Sequence, residues 1–221
     1  MEPIVNKHKL HWSDKKFFIS VATGLFFLTL SLFVNYWAGT YATRTASNAV
    51  TDILLDNLPV INTDFIFSNG AIIFVLFMVI LVASEPKRIP FILKSTALFV
   101  LIRSVFVTMT HIGPSPEQII LRADSDDVIR YVAFGGDLFF SGHTGLPFLM
   151  ALMFWGNRKL RFAFLFASVV AGVGVILGHL HYTIDVFAAF FITYGIFHIA
   201  RRFFKKDYKT FIHGLGGGKI I

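Results

Sequence analysis

The sequence predicts an all-α, polytopic membrane protein whose helical bundle crosses the bilayer six times. Two features of composition support this fold class: 55% of the 221 residues are hydrophobic and only 15% are charged, whereas a soluble domain usually carries about 25% charged residues. The third is a series of six apolar segments, each near the roughly 20 residues that a spanning helix needs. Disordered proteins and soluble enzymes are excluded, because a water-soluble core of this size could not bury so much apolar surface.

Each apolar segment is expected to be a helix, because a backbone inside lipid must satisfy its own hydrogen bonds. The predicted spans are residues 17–38, 65–84, 91–112, 138–156, 162–180 and 183–200. The first is too long for a cleavable signal peptide, and no small-residue cleavage pattern follows it. The spans fill the chain, so residues 1–221 are predicted to form one domain, with cytoplasmic tails at 1–16 and 201–221.

The distribution of charge predicts the orientation. Fifteen of the 20 Lys and Arg residues fall on one face of this topology, whereas nine of the 13 acidic residues fall on the other. The basic residues of the first face are Lys7, Lys9, Lys15, Lys16, Lys87, Arg88, Arg158, Lys159, Arg161, Arg201, Arg202, Lys205, Lys206, Lys209 and Lys219. By the positive-inside rule this face is cytoplasmic, and so are both termini. The net charge of +7 therefore reflects topology, and the expected partner is the lipid bilayer rather than nucleic acid.

Two of the predicted outward connections are long. In residues 39–64, apolar side chains at roughly helical spacing predict a short amphipathic helix on the surface. Residues 113–137 open with Gly-Pro-Ser-Pro, which stops the preceding helix. Long polar loops on one face predict that the outer face carries the function.

The first polar segment at membrane depth is residues 136–144, at the outer start of the predicted fourth span. Its Ser141, Gly142, His143 and Thr144 offer hydroxyls and a close backbone approach, and N–H groups at a helix start suit an anion such as phosphate. The alternative is purely structural: Ser141 caps the helix, and His143 is an ordinary packed residue.

The second polar segment is residues 178–186, in the outer hairpin before the last span. Its His181 and Asp185 are four residues apart, so on a helix they would share one face. A carboxylate bonded to one imidazole nitrogen fixes the tautomer and leaves the other nitrogen free to attack. The alternative is an ordinary polar pair at a helix end.

Arg103 lies in the outer half of the predicted third span. A charged side chain at this depth is costly and is therefore a functional candidate, here as a planar fork that binds phosphate. The alternative is a structural ion pair with an outer acid. Together, two histidines, a carboxylate and an arginine supply the parts of phosphoryl transfer through a histidine.

A metal site is the competing interpretation of the histidines. His143, His179, His181 and Asp185 are residue types that bind zinc or iron, but His179 and His181 would point to different faces of a helix. The chain has no cysteine, which excludes disulfides, thiolate nucleophiles and Cys-based metal sites. Neither a metal nor an organic cofactor is expected.

The motifs as written resemble those of a known family. Gly-Asp-Leu-Phe-Phe-Ser-Gly-His-Thr at 136–144 and His-Tyr-Thr-Ile-Asp-Val at 181–186 are similar to motifs of the type 2 phosphatidic acid phosphatase (PAP2) superfamily, in its sphingomyelin synthase-like branch. Residues 103–116 resemble another motif of that branch more loosely. The resemblance covers about residues 95–200 and implies a metal-independent lipid phosphotransferase or phosphatase with a PAP2-like helical bundle.

The resemblance also implies roles for particular residues. His181 would be the nucleophile that forms a phospho-histidine, Asp185 would orient it, and His143 would protonate the leaving group. Arg103, with Ser141 and Gly142, would bind the phosphate.

One departure concerns charge. The wider superfamily has an Arg six residues before the nucleophile, where this chain has Val175. Arg122 or Arg130 of the outer loop would have to replace it. Asp137, His179 and Tyr182, which lie within or beside the motifs, are further candidates.

Three functions remain open from the sequence. In the first, a membrane phospholipid donates its head-group phosphate to a lipid alcohol such as ceramide or diacylglycerol. In the second, water is the acceptor and the protein is a lipid phosphate phosphatase. In the third, the protein binds or transports lipid without catalysis and its site is vestigial. The small size and short basic inner loops favour a multi-pass protein of a bacterial plasma membrane, with its site on the non-cytoplasmic face.

Overall fold

The computed structural model describes residues 4–119 and 137–215 of the chain. Its described regular structure consists of helices. They are α1 (Ile4–Trp12), α2 (Lys15–Thr45), a π-helical turn (Phe65–Asn69), α3 (Gly70–Ser84), a 3₁₀ turn (Pro86–Arg88), α4 (Ile89–Met109), α5 (Gly142–Met153), α6 (Arg158–Leu177), α7 (Thr183–Phe203) and α8 (Lys205–His213). Helix α2 packs along α4, and α5 packs against α6 and α7.

Five helical segments are long and apolar enough to cross a membrane, judged by length and composition. They are Lys15–Thr45, Phe65–Ser84, Pro86–Met109, Arg158–Leu177 and Thr183–Phe203, and they correspond to the first, second, third, fifth and sixth predicted spans. The predicted fourth span contains only the 12 residues of α5. Such a helix is about 18 Å long, shorter than the roughly 30 Å hydrocarbon core. The sixth crossing therefore remains a prediction.

Helix α5 is enclosed rather than exposed to lipid, and eight of its 12 residues are buried. A Cβ atom on Gly145 would lie 2.8 Å from the Phe99 ring of α4 and 2.8 Å from Oγ1 of Thr193 in α7. On the other side, Oγ of Ser168 in α6 donates a hydrogen bond to the Thr144 carbonyl at 2.7 Å. This tight packing fixes the start of α5 between α4, α6 and α7.

The predicted amphipathic helix in residues 39–64 is wrong. Helix α2 continues through Thr45, residues 53–57 form only turns, and residues 46–50 lie outside regular secondary structure. Their backbone bonds to the segment that follows α4: the Ser47 N–H donates to the His111 carbonyl at 2.7 Å, and the Gly113 N–H donates to Asn48 at 3.1 Å. The apolar spacing has a helical period, but the backbone at residues 47 and 48 pairs with the segment after α4 instead of within a helix.

The end of the bundle that contains α1, α8 and the 3₁₀ turn is closed by residues of both predicted tails. Lys7 of α1 forms an ion pair with Glu85, beside the 3₁₀ turn. Lys94 of α4 is buried and forms a 2.8 Å ion pair with Asp207 of α8. The same ammonium donates to Oγ of Ser20 in α2 at 2.7 Å. Lys94 thus connects three helices instead of extending to the membrane surface.

Removing one partner of this buried pair should destabilise the protein. Asp207→Asn leaves the Lys94 ammonium without its counter-charge, which typically costs about 3 kcal/mol or more. The variant should unfold at a clearly lower temperature in detergent, and the double variant Lys94→Met/Asp207→Leu should recover most of the loss. Glu85→Gln, at the more exposed pair, is the control and should have a smaller effect. An unchanged melting temperature for Asp207→Asn would show that the pair is not structurally important.

Candidate active site

A cavity of about 740 Å³ lies inside the bundle and includes the start of α5 in its wall. One part of its wall carries ionisable side chains that the sequence had singled out. They are Arg103, Asp137, His143 and His181. The remaining wall is largely apolar, with side chains from α2 to α6 such as Leu32, Phe74, Leu146 and Ala171. The cavity therefore combines a charged region with a hydrocarbon-like region.

His181 and Asp185 form the predicted pair. Nδ1 of His181 lies 3.0 Å from Oδ2 of Asp185, and the same oxygen accepts the backbone N–H of Tyr182 at 3.1 Å. His181 stands before α7, which begins at Thr183, so the pair bridges the helix start instead of sharing one helical face. Because Nδ1 is held by a carboxylate, Nε2 is the nitrogen left to react.

Asp185 also connects the two polar segments. Its carboxylate is completely buried, and its carbonyl accepts the Ser141 N–H at 3.1 Å. Ser141 in turn caps α5, with its Oγ accepting the Thr144 N–H at 3.4 Å. The start of α5, which carries His143, and the start of α7, which follows His181, are therefore joined by a direct backbone hydrogen bond.

Arg103 reaches the cavity but is already paired. Its Nη2 donates to Oδ2 of Asp137 at 2.8 Å and to the carbonyl of the same residue at 3.0 Å. Its Nε donates to the Phe140 carbonyl at 3.3 Å. The guanidinium packs against the start of α5, where a Cβ on Gly142 would lie 3.3 Å from Nε. A phosphate at this position would have to share the guanidinium with Asp137.

His143 lies on α5, half-buried in the cavity wall. Its imidazole stacks on the ring of Phe67 in the π-helical turn, with centroids 4.0 Å apart and planes at 30°. Sequence reasoning missed Phe67, because one phenylalanine among 27 carries no signal.

The backbone is strained beside both histidines. Phe139 and Phe140, just before α5, have φ angles of 80° and 45°, and His179, just before His181, has a φ of 52°. Positive φ is unfavourable for bulky residues, and such strain is concentrated at functional sites. These three are the described non-glycine residues with positive φ, so the strain is confined to the two segments that lead into the candidate site.

Several predicted residues do not line the cavity. His179 is buried, with Nδ1 3.9 Å from Glu117. The Tyr182 hydroxyl instead anchors the outer loops: it donates to the Gly113 carbonyl at 2.8 Å and accepts the Val50 N–H at 3.2 Å. The hydroxyl of Ser141 is occupied as a helix cap. Arg122 and Arg130 lie outside the described residues.

Two polar residues that sequence reasoning passed over support the site. Asn35 of α2 lines the cavity, and its Oδ1 accepts from Nη1 of Arg103 at 3.5 Å. Its signal in the sequence was an amide inside an apolar span. Asp52 of the outer segment accepts both the N–H of Thr183, at 2.8 Å, and its hydroxyl. Asp52 thereby caps α7 from a distant part of the chain, which no local pattern could reveal.

The described residues contain no cluster of three or more His, Asp or Glu side chains arranged to hold a metal ion. His179 is separated from the cavity, so the set proposed for zinc or iron is not assembled there. The ionisable groups that do face the cavity fit phosphate chemistry on a histidine.

Comparison with known proteins gives a family match over part of the chain. Residues 135–202, less than half of the chain, match the family model described as PAP2 superfamily C-terminal. The match includes His143, His181 and Asp185 but not Arg103. It supports the PAP2 superfamily and hence an enzyme of the phosphatase or phosphotransferase type that acts on lipid phosphates. No curated protein and no solved structure matches the chain.

The cap formed by Asp52 should make stability depend on pH. Burial acts to raise the pKa of the Asp52 carboxyl, but hydrogen bonds from the Thr183 hydroxyl and from backbone N–H groups outweigh it and lower the pKa. A lowered folded-state pKa contributes stability above the unfolded-state value, about 3.9, and this contribution is lost as pH falls through the folded-state pKa.

Asp52→Asn should therefore melt below the wild type at neutral pH, and the difference should shrink on acidification below about pH 4. Thermal unfolding between pH 3 and 7 measures this. Asp64→Asn, in the same outer segment but without a contact to α7, is the control. A difference that stays constant through the acid range would contradict the assigned role.

Proposed function

We propose that this protein is a membrane lipid phosphotransferase that moves a phospholipid head-group phosphate through a phospho-histidine to a lipid alcohol, as in the sphingomyelin synthase-like branch. The observation that carries this proposal is the position of His181, with its Asp185 partner, and His143 around the charged region of one largely apolar cavity. The His181–Asp185 pair supplies a nucleophile, and His143 supplies a general acid and base.

In the first step, Nε2 of His181 attacks the phosphorus atom, and the bond from phosphorus to the leaving oxygen breaks. Asp185 keeps the proton on Nδ1 and stabilises the charge that develops on the ring. His143 donates its proton to the departing oxygen. Arg103 and the backbone at Gly142 stabilise the equatorial oxygens.

In the second step, the hydroxyl of a lipid alcohol attacks the phospho-histidine. His143, now deprotonated, accepts the hydroxyl proton, and the bond between phosphorus and Nε2 breaks. His181 and His143 return to their starting states, so neither a metal nor an organic cofactor takes part.

The apolar part of the cavity supports a lipid substrate. Side chains from α3 and α6 form two of its walls, and α3 contributes no buried residue in the described structure. A hydrocarbon chain in this space would leave the bilayer at little cost, because it exchanges one apolar environment for another. The PAP2 family match is consistent with such a substrate.

A lipid phosphate phosphatase is the alternative on the same site. Water would replace the lipid alcohol in the second step, and all protein groups would keep their roles. The match to the PAP2 superfamily favours this alternative as much as the first. A protein that binds or transports lipid without turnover is the third possibility.

The proposal places the site on the non-cytoplasmic face of a bacterial plasma membrane. Lys7, Lys94 and the 3₁₀ turn Pro86–Arg88 lie together at the end of the bundle formed by α1 and α8. The cavity residues Arg103 and His181 are at the other ends of α4 and of the α6–α7 hairpin. Positive charge near α1 and α8 favours the cytoplasm, and the site would then open outward.

The direct test follows the labelled phosphate. Purified protein in detergent receives phospholipids labelled in the head-group phosphate, with and without ceramide or diacylglycerol. His181→Ala should lower transfer by at least about a thousandfold, since no other group carries the phosphoryl. Asp185→Asn should lower it by roughly two to four orders of magnitude, because the wrong tautomer is then favoured. His198→Ala, at the opposite end of α7, is the control and should be active.

Each outcome identifies one function. Label that appears in a new lipid identifies a transferase and its acceptor. Label found only in water-soluble products identifies a hydrolase. If label movement does not depend on His181, the phospho-histidine mechanism is wrong, and unaltered lipid transfer between vesicles in His181→Ala would support the non-enzymatic alternative.

The cavity makes a separate prediction about the lipid chain. Ala171→Phe fills the apolar part, so turnover of long-chain lipids should fall by about tenfold or more, as expected when a packed site cannot relax. A short-chain analogue should react nearly as in the wild type, which shows that the fold is intact. Val173→Phe places the same ring on the exposed side of α6 and is the matched control. Equal loss with both chain lengths would exclude a chain-binding role.

A further inference from the structure

The helix that forms one wall of the cavity begins in an unusual way. Residues Phe65–Asn69 form a π-helical turn immediately before α3. Such turns are rare, have hydrogen bonds that span one more residue than those of an α-helix, and frequently occur at functional sites. The extra residue changes the direction in which the side chains of this turn point.

The π-helical turn is fixed to α6. Oγ1 of Thr63 donates to the Gly174 carbonyl at 2.8 Å, and the Ile61 N–H donates to the Leu177 carbonyl at 2.8 Å. The Ile66 side chain packs on Gly174, where an added Cβ would come within 2.9 Å of it. The carbonyl of Thr63 also accepts the N–H groups of Ile66 and Phe67, at 2.9 and 3.0 Å. The turn is thus held on α6 independently of α5.

This anchoring presents Phe67 to His143 of α5. The rings are stacked, with centroids 4.0 Å apart and planes at 30°, and both residues line the cavity. We infer that Phe67 is a positioning residue, which holds the His143 imidazole in the orientation needed to exchange a proton with the substrate oxygen. The inference rests on the proposed function, in which His143 is the general acid and base.

The two histidines would then be oriented by different means. His181 donates a hydrogen bond from Nδ1 to the Asp185 carboxylate, which fixes its tautomer as a nucleophile requires. His143 must exist in both protonation states during one cycle, so a carboxylate partner that favours one state would hinder one step. An aromatic face restricts ring rotation in both states and takes no hydrogen bond from either nitrogen. General acid catalysis needs donor and acceptor within about 2.6–3.2 Å, so ring orientation affects the rate directly.

The chain offers a matched control in Phe74. Phe74 lies on α3, C-terminal to the π-helical turn, and lines the same cavity. Its ring contacts Phe164 of α6, at a centroid distance of 6.1 Å. Truncation of Phe74 enlarges the same cavity without removing a ring from His143.

The first experiment varies the leaving group. A poor leaving group needs protonation by His143, whereas a nitrophenolate leaves without it. The rate at which the leaving group is released in the first turnover does not depend on the second step. In Phe67→Ala this rate should fall by about ten- to a hundredfold when the leaving group is an alkyl alcohol. With nitrophenolate it should change less than about threefold. Phe67→Tyr should restore the rate. Phe74→Ala should affect both substrates equally.

A double-mutant cycle tests whether Phe67 acts through His143. In a His143→Ala background, adding Phe67→Ala should cause no further loss, because the group that Phe67 orients is gone. Additive losses, or equal losses with both leaving groups, would show that Phe67 acts on packing or on substrate binding, and would overturn the inference.

A measurement without turnover separates this inference from the proposed function. In protein labelled with ¹³C at histidine Cε1, the His143 resonance should carry a ring-current shift that disappears in Phe67→Ala and persists in Phe67→Tyr and Phe74→Ala. An unmoved resonance in Phe67→Ala would overturn the stack itself. Absence of His181-dependent turnover in the wild type, with the ring-current shift intact, would instead overturn the proposed function and leave a purely structural contact.

Discussion

The buried carboxylate of Asp185 is the contact on which the arrangement of the site depends. A carboxylate removed from water must be satisfied by hydrogen bonds, and here one oxygen accepts from both His181 and the Tyr182 backbone. Its other oxygen has no hydrogen-bond partner among the described residues. Since the carbonyl of Asp185 also accepts from Ser141, one residue determines where both helix starts lie. The strained backbone beside each histidine is then a consequence of forcing two irregular segments to meet at this point.

In the charged region of the cavity, the Arg103 guanidinium is already paired with the Asp137 carboxylate before any substrate binds. Arg103 is engaged by Asp137 and by the Phe140 carbonyl, so it is held in place rather than free to move. Preorganised donors of this kind lower the reorganisation needed when charge develops in the transition state. The same pairing means that an incoming phosphate competes with Asp137 for the guanidinium. The apolar region needs no such balance, and under the proposed function its shape would select the lipid chain.

The residues whose roles depend on local spacing could be predicted from the sequence, and those that depend on distant contacts could not. His181 and Asp185 pair as their spacing indicated, although across a helix start, and five of six predicted spans coincide with long apolar helices. Arg103 was expected to bind phosphate or to pair with an acid, and it pairs with Asp137. Phe67, Asn35 and Asp52 act through contacts more than 60 residues away. The helix predicted in residues 39–64 does not form, because backbone groups of this segment hydrogen-bond to the residues that follow α4.

The exposure of α3 has an evolutionary consequence. This helix has no buried residue, whereas α4 to α7 each contribute several to the core. Exchanging one apolar side chain for another on an exposed helical surface changes little buried packing, so apolar substitutions in α3 meet less selection against unfolding than substitutions in the core. The helices that carry the histidines and Arg103 do not have this freedom. Under the proposed function, lineages of such a protein could therefore acquire new lipid preferences through α3 while the phosphate chemistry is inherited unchanged on α4 to α7.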